Sequence, residues 1–195
     1  MENTLTRSKT ASYAWLAAWA AASMFAITAS FLTTLPLLWN FSDRALAVLP
    51  EVLVAAFAGA FFGWGVGVAL GLAQWIVLRA RGQASRNWVI ASVLGGIVGG
   101  LVVMVFSASF GDDGENMLVT VVSFALFAAV IGSAQYLGDR AVARNAGWVL
   151  ASTIGLGLGA GIPFAGENLE LLRVALGGLV YGIITAAALW WYSQR

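Results

Sequence analysis

The sequence predicts an all-α polytopic membrane protein. Three observations carry that prediction: an apolar composition, six long stretches without central charges, and a charge bias that alternates between successive connecting segments. Hydrophobic residues make up 61 % of the 195 and charged residues only 10 %, with a mean hydropathy of +0.87, outside the range of soluble domains. A helix needs roughly 20 apolar residues to cross the hydrocarbon core. Stretches at 12–39, 52–78, 88–110, 117–137, 147–164 and 171–192 meet that need. They lack the alternation of barrel strands and are too long for them, so helices are the expected spanning element.

Orientation follows from the connecting segments. Arg7, Lys9, Arg79, Arg81, Arg86, Arg140, Arg144 and Arg195 fall on one side of the six spans, and only Arg44 and Arg173 on the other. Asp43, Glu51, Asp112, Asp113, Glu115, Glu167 and Glu170 share the second side, leaving Glu2 and Asp139 with the basic group. Lys and Arg near span ends are retained in the cytoplasm, so both termini are expected there, in a bacterial inner membrane. Tyr13, Trp15, Trp75, Trp88, Tyr136, Trp148, Trp190, Trp191 and Tyr192 fall near the same boundary, where a ring can keep its polar atom hydrated.

Each span has its own signals. The first follows a polar start of ten residues, and its apolar run exceeds the roughly 7–15 residues of a signal-peptide core, so it reads as a retained helix. It carries small residues every fourth position, Ala14, Ala18, Ala22, Ala26 and Ser30, and Pro36 near its outer end. Pro50 and Glu51 open the second span, where Gly59, Gly63, Gly67 and Gly71 form a matching ladder that lets another helix approach closely. Gly95 with Gly99 and Gly96 with Gly100 mark the third span. The fourth ends in Gly132 and Gln135, and the fifth carries Ala151, Gly155 and Gly159 before Pro163. Glu167, Asn168 and Glu170 suit the positive dipole end of the sixth, where Arg173 is placed to pair with Glu170 and Gly178 with Gly182 forms a further ladder.

An internal repeat organises four of these spans. Gly71-Leu-Ala-Gln74-Trp75-Ile-Val-Leu-Arg79 recurs as Gly132-Ser-Ala-Gln135-Tyr136-Leu-Gly-Asp-Arg140, and Trp88-Val-Ile-Ala-Ser92-Val-Leu-Gly95 as Trp148-Val-Leu-Ala-Ser152-Thr-Ile-Gly155. The expected layout is therefore two tandem parallel hairpins, about 52–110 and 117–164, with a flanking helix at each end. The pattern resembles a repeat of small multi-pass bacterial membrane proteins. It covers Gly67 to Gly99 well and Gly132 to Gly159 with departures at Tyr136 and Gly138-Asp139. The resemblance implies an architecture and a bacterial source, and carries no activity. Arg79 and Arg140, with Arg81, Arg86 and Arg144, then set orientation rather than form a site.

Little catalytic chemistry is open to this chain. It has neither cysteine nor histidine, which removes thiol nucleophiles, imidazole bases and the usual zinc ligands. No catalytic, cofactor-binding or metal-ligating residue is expected. Asp112, Asp113 and Glu115 form an acidic outer loop without the spacing of a calcium loop. The glycine-rich stretches lie inside apolar spans without a following Lys-Ser or Lys-Thr, so they are not phosphate loops. A net charge of +1 offers nothing to nucleic acid. The polar candidates are Gln74, Gln135, Ser92 and Ser152, expected to hydrogen-bond between helices or to form a constriction, with the two glutamines facing one another near a pseudo-twofold axis or pairing with the serines.

Two functions follow, neither enzymatic. The first is a scaffold or accessory subunit whose helix faces pack into a larger membrane assembly or onto a second copy, and it expects a solid interior. The second is a small-solute transporter or its membrane-embedded binding component. Six helices, this length and the alanine ladder are similar in layout to the vitamin-binding subunits of energy-coupling-factor transporters. That reading expects an outward cavity bordered by groups such as Asn40, Ser107, Ser109, Glu167 and Asn168.

Overall fold

Helices account for nearly all of the computed structural model, which describes residues 2–45, 49–83, 85–110, 116–143, 145–162 and 169–193, the side chains of 2–12, 39, 41–45, 108 and 193 excepted. They are α1 (Glu2–Ala45), α2 (Glu51–Ala80), α3 (Arg86–Phe110), α4 (Met117–Gly138), α5 (Arg140–Ala143), α6 (Gly147–Ala160) and α7 (Glu170–Ser193), and no strand occurs among the described residues. Five contain segments long and apolar enough to cross a membrane: Tyr13–Leu38 of α1, all of α2, Arg86–Ser107 of α3, all of α4 and Glu170–Tyr192 of α7. The stretch at 147–164 is helical only to Ala160, over 14 residues, or about 21 Å at 1.5 Å per residue. Arg44 (side chain), Arg144, Asp112, Asp113, Glu115, Pro163, Glu167, Asn168 and Arg195 lie outside the described residues.

Local chemistry explains the ends. The Pro50 carbonyl accepts from Leu53 and Val54 at 2.9 and 3.2 Å to start α2. Asn116 caps α4 by accepting from the amides of Leu118 and Val119 at 3.1 and 3.3 Å, satisfying two of the donors a helix start leaves open. Gly82, at φ +68°, turns the chain between α2 and α3, a backbone conformation glycine adopts at no steric cost. Asp139 supplies the cap of α5, its carboxylate accepting from the Val142 amide at 3.3 Å. Pro36 lies within α1, near the outer end of its Tyr13–Leu38 segment, and the helix continues past it.

The six long helices form a closed ring in which each packs on its sequence neighbours and α7 packs back on α1. The first and last helices thus make the sixth contact of the ring. Successive helices run antiparallel: Gly67 lies against Ser92 and Gly59 against Gly100, Gly132 against Ser152, Gly155 against Tyr181, and Gly178 against Met24. One end of the ring therefore carries Arg79, Arg81, Arg86 and Arg140, and is called the basic end below; α1 starts and α7 finishes there.

The ring repeats one packing scheme three times. Gly71 of α2 rests on Ser92 and Val89 of α3, Gly132 of α4 on Ser152 and Val149 of α6, and Gly182 of α7 on Ala20 of α1. Leu70, Ile131 and Tyr181, each one residue before those glycines, are 3 %, 2 % and 1 % exposed and share one apolar cluster. Small residues at these positions let helix backbones come close, which replaces the hydrophobic drive that lipid removes.

Candidate functional site

At the basic half the ring is closed by a layer of indoles and amides. Trp19, Trp88 and Trp148 are fully buried and meet edge to face, with centroid separations of 6.2, 6.1 and 5.4 Å, an arrangement that sets each ring's positive edge on the next ring's negative face. Trp88 and Trp148, expected at the hydrated interface, are instead interior. Each of their N–H groups has a buried acceptor: Trp88 donates to Gln74 Oε1 at 3.2 Å, Trp148 to Gln135 Oε1 at 3.1 Å, and Trp19 to Thr185 Oγ1 at 3.0 Å.

An indole N–H only donates, so each glutamine turns its oxygen to the tryptophan and its nitrogen away. Gln135 Nε2 donates to Ser92 Oγ at 2.8 Å and to Gln74 Oε1 at 3.2 Å, and Gln74 Nε2 donates to Ser23 Oγ at 3.4 Å. The two glutamines do meet, and each reaches a serine of the preceding helix rather than its own hairpin's. The third repetition is incomplete. Thr185 carries no amide that could reach Ser152, whose buried hydroxyl stands near the buried Tyr181 hydroxyl without either completing a hydrogen bond of good geometry, and the Thr185 hydroxyl donates to the Tyr181 carbonyl at 2.8 Å.

Arginines flank this layer at the basic end. Arg79 lies over Trp75 at 5.1 Å, Arg81 over Trp15 at 4.4 Å and Arg140 over Tyr136 at 5.5 Å, so these rings seat the charges; Trp15, like Trp88 and Trp148, is buried rather than at a hydrated interface. Arg86 is exposed at the start of α3.

The opposite half is hollow on one side. A cavity of about 360 Å³ opens among α1, α4, α6 and α7. Ile27, Phe31, Phe124 and Leu156 form its apolar wall, and Thr120, Ala160, Glu170 and Arg173 stand toward the end of the bundle. Arg173 does not pair with Glu170 among the described contacts; its Nη2 donates to the Ala160 carbonyl at 2.9 Å, at the C-terminal, negative end of the α6 dipole. Of the residues expected to border an outward cavity, Asn40, Ser107 and Ser109 are not among those lining this one, and Glu167 and Asn168 lie outside the described residues. Asn40 donates to the Pro36 carbonyl, Ser107 meets Ser123 at 3.3 Å, and Ser109 donates to the Val105 carbonyl.

The threefold scheme shows why the cavity lies there. Continuing each helix from the shared layer toward the opposite end, α2 and α3 present Gly59, Gly63, Gly96 and Gly100. The corresponding residues are Thr120, Phe124, Leu156 and Ala160 in α4 and α6, and Glu170, Val174, Ile27 and Phe31 in α7 and α1. All eight of these line the cavity. Where the four glycines stand, backbones touch: a Cβ on Gly63 would collide with the Gly96 carbonyl, and one on Gly100 with the Gly59 carbonyl. Larger side chains at the equivalent places hold the other pairs open.

The remaining packing residues are placed as follows. Gly59, Gly63, Gly67, Gly71, Gly95, Gly99, Gly155, Gly159, Gly178 and Gly182 are buried at helix contacts. The alanine ladder of α1 is not one face: Ala14 and Ala18 are exposed, Ala22 is half-buried, and Ala26 and Ser30 are buried, because a four-residue step overshoots the 3.6-residue turn and winds around the helix. Trp19, Ser23 and Thr185 were not singled out from sequence, although Trp19-x-x-x-Ser23 repeats the spacing of Trp88 to Ser92 and Trp148 to Ser152.

No family model matches the chain, and no curated protein or solved structure is similar to it. No group of His, Cys, Asp or Glu among the described residues could hold a metal ion.

Proposed function

We propose that this chain is a non-enzymatic, membrane-embedded binding component that receives a small apolar or amphiphilic molecule from outside the cell and works within a larger membrane assembly. The carrying observation is the cavity of about 360 Å³, within the 300–1,000 Å³ range of small-ligand sites, which lies in the half of the bundle away from the buried Trp19, Trp88 and Trp148 layer. A scaffold has no use for such a void. A transporter acting alone would need a route past the indoles, so release is assigned to a partner.

The architecture belonging to this reading has six spans, α6 joining the five longer ones as the fifth in chain order, in a bacterial cytoplasmic membrane. The basic end faces the cytoplasm and both termini lie there. Three hairpins build it, α2–α3, α4–α6 and a third divided between the termini, α7 with α1. Support for the third is the shared Trp-to-acceptor bond and the shared glycine contact. The exposed Ala14, Ala17, Ala18 and Ala21 on α1 favour close approach of a partner helix in the membrane, which keeps the accessory-subunit reading alongside the binding one.

Two experiments test this. The chain has no native cysteine, so Gln83→Cys and Ser109→Cys, exposed at opposite ends, report orientation. Ser109→Cys should react with a membrane-impermeant maleimide in intact cells, and Gln83→Cys only after the membrane is opened; the reverse order overturns the topology. For function, mild-detergent purification from native membranes followed by mass spectrometry should find a stoichiometric small molecule in the wild type and lose it in Thr120→Phe, which fills the cavity. Purified protein that carries partners and an empty cavity in both forms would favour the pure scaffold.

A further inference from the structure

We infer that the ligand of this cavity is a single-tailed amphiphile with a zwitterionic head: one apolar chain inside, an oxyanion on Arg173 and a cationic group beside Glu170. The inference rests on the binding reading above and names the chemistry it would select. The walls decide the tail. Ile27, Phe31, Phe124 and Leu156 offer no hydrogen-bonding side chain, so a sugar or base placed among them would lose its water without replacement. Apolar cavities of this kind take apolar guests. The volume of about 360 Å³ stands at the small end of the roughly 300–1,000 Å³ range of ligand sites, which suits one short chain.

The rim decides the head. Arg173 and Glu170 lie one turn apart on α7 and both line the cavity. The guanidinium has five N–H donors, and a single bond to the Ala160 carbonyl at 2.9 Å fixes its place while leaving a fork for a phosphate or carboxylate. A head with only negative charge would meet Glu170 and the negative end of α6, and one with only positive charge would meet Arg173. A head carrying both signs satisfies both. Glu170 replaces the Gly59 of the closed pair and Arg173 is the residue before Val174, which replaces Gly63, so the charged rim and the hollow sit on the same substituted stretch.

The test uses the full chain in an uncharged maltoside detergent, with ten-carbon probes added below their own micelle concentrations: decylphosphocholine, decanoate, decylamine and decanol, plus tail-less phosphocholine. Ligand that binds only the folded state raises the unfolding midpoint in a saturable way. Decylphosphocholine should bind tenfold or more tightly than decanol, decanoate and decylamine should fall between or below, and phosphocholine should give no shift. Arg173→Gln and Glu170→Gln should each erase most of that preference, and Thr120→Phe should abolish every shift. Equal binding of decanol and decylphosphocholine, unchanged by either rim variant, overturns the head-group inference and leaves the binding reading standing. A preference for decanoate over the zwitterion overturns it as well. If no probe gives a saturable shift in wild type, and no small molecule co-purifies, the binding reading itself fails. Should Arg173→Gln not fold, the ranking of the four probes on wild type and on Glu170→Gln decides alone.

Discussion

In the basic half of the ring the three helix pairs are near copies, each placing an indole on a polar acceptor of its partner helix; in the opposite half they diverge. There α2 and α3 close backbone to backbone through Gly59, Gly63, Gly96 and Gly100, while α4–α6 and α7–α1, with larger residues at the same places, line a half-open cavity. One packing scheme thus yields a seal or a pocket according to side-chain volume at four positions per pair. Interiors are close-packed, so removing side chains lets helices meet, and adding them on two adjoining pairs leaves space that no single residue fills.

Exchanging side-chain volume at equivalent positions should separate the two halves most strongly. Gly59→Phe must displace Met104 and the Gly100 carbonyl, which a Cβ alone would already meet within 2.5 Å. It should cost about 3 kcal/mol or prevent assembly. Thr120→Phe, at the corresponding place in α4, points a ring of the same size into the cavity and should cost under about 1 kcal/mol, the range of tolerated substitutions. Thermal or denaturant unfolding in detergent measures both. If Thr120→Phe proves as damaging as Gly59→Phe, the hollow is not available space.

The shared layer gives a second, intermediate contrast. Gln135→Leu removes donors to Gln74 and Ser92 and the acceptor of Trp148, leaving a buried indole N–H unmatched. With membrane hydrogen bonds averaging roughly 0.6 kcal/mol and an orphaned donor adding to that, about 2 kcal/mol is expected. Thr185→Val removes one indole acceptor and should cost about half as much. Tryptophan emission should shift in both variants. Equal costs would show that the two glutamines act as isolated pairs and not as a connected layer.

Much of this fold was legible in the sequence, and the reasons differ by region. The apolar stretches and the glycine spacing announce helices and close contacts because both are local patterns along one helix. Gln74, Gln135 and Ser92 stood out as the polar residues one turn inside repeated segments. The third pair did not, because its halves are α7 and α1, at opposite ends of the chain, and its acceptor is a threonine where the others have glutamine. Trp88 and Trp148 are buried although their sequence positions suit the interface, because depth along a helix does not reveal which face a ring occupies. The cavity was invisible for a further reason: it depends on comparing three pairs residue by residue, and the residues that line it are ordinary apolar ones. Arg173 drew a local partner, Glu170, from i to i+3 spacing, yet the nearest open acceptor was across the ring contact, at the end of α6.

The finest test concerns the one missing element of the layer. If the three pairs follow one scheme, Thr185→Gln should complete it, its carbonyl oxygen accepting from Trp19 as Gln74 and Gln135 do from Trp88 and Trp148, and its nitrogen reaching the unsatisfied Ser152 hydroxyl. The gain is one interhelical hydrogen bond to a buried group that now has none, or roughly 0.6 kcal/mol. Opposing it is the added volume beside Tyr181, which occupies the place that Leu70 and Ile131 hold in the other pairs and is 1 % exposed. A small rise in the unfolding midpoint, absent in the double change with Ser152→Ala, would assign the gain to that bond. A loss above about 1 kcal/mol would instead mean overpacking, with the tyrosine ring filling the volume that an amide takes in the two complete pairs.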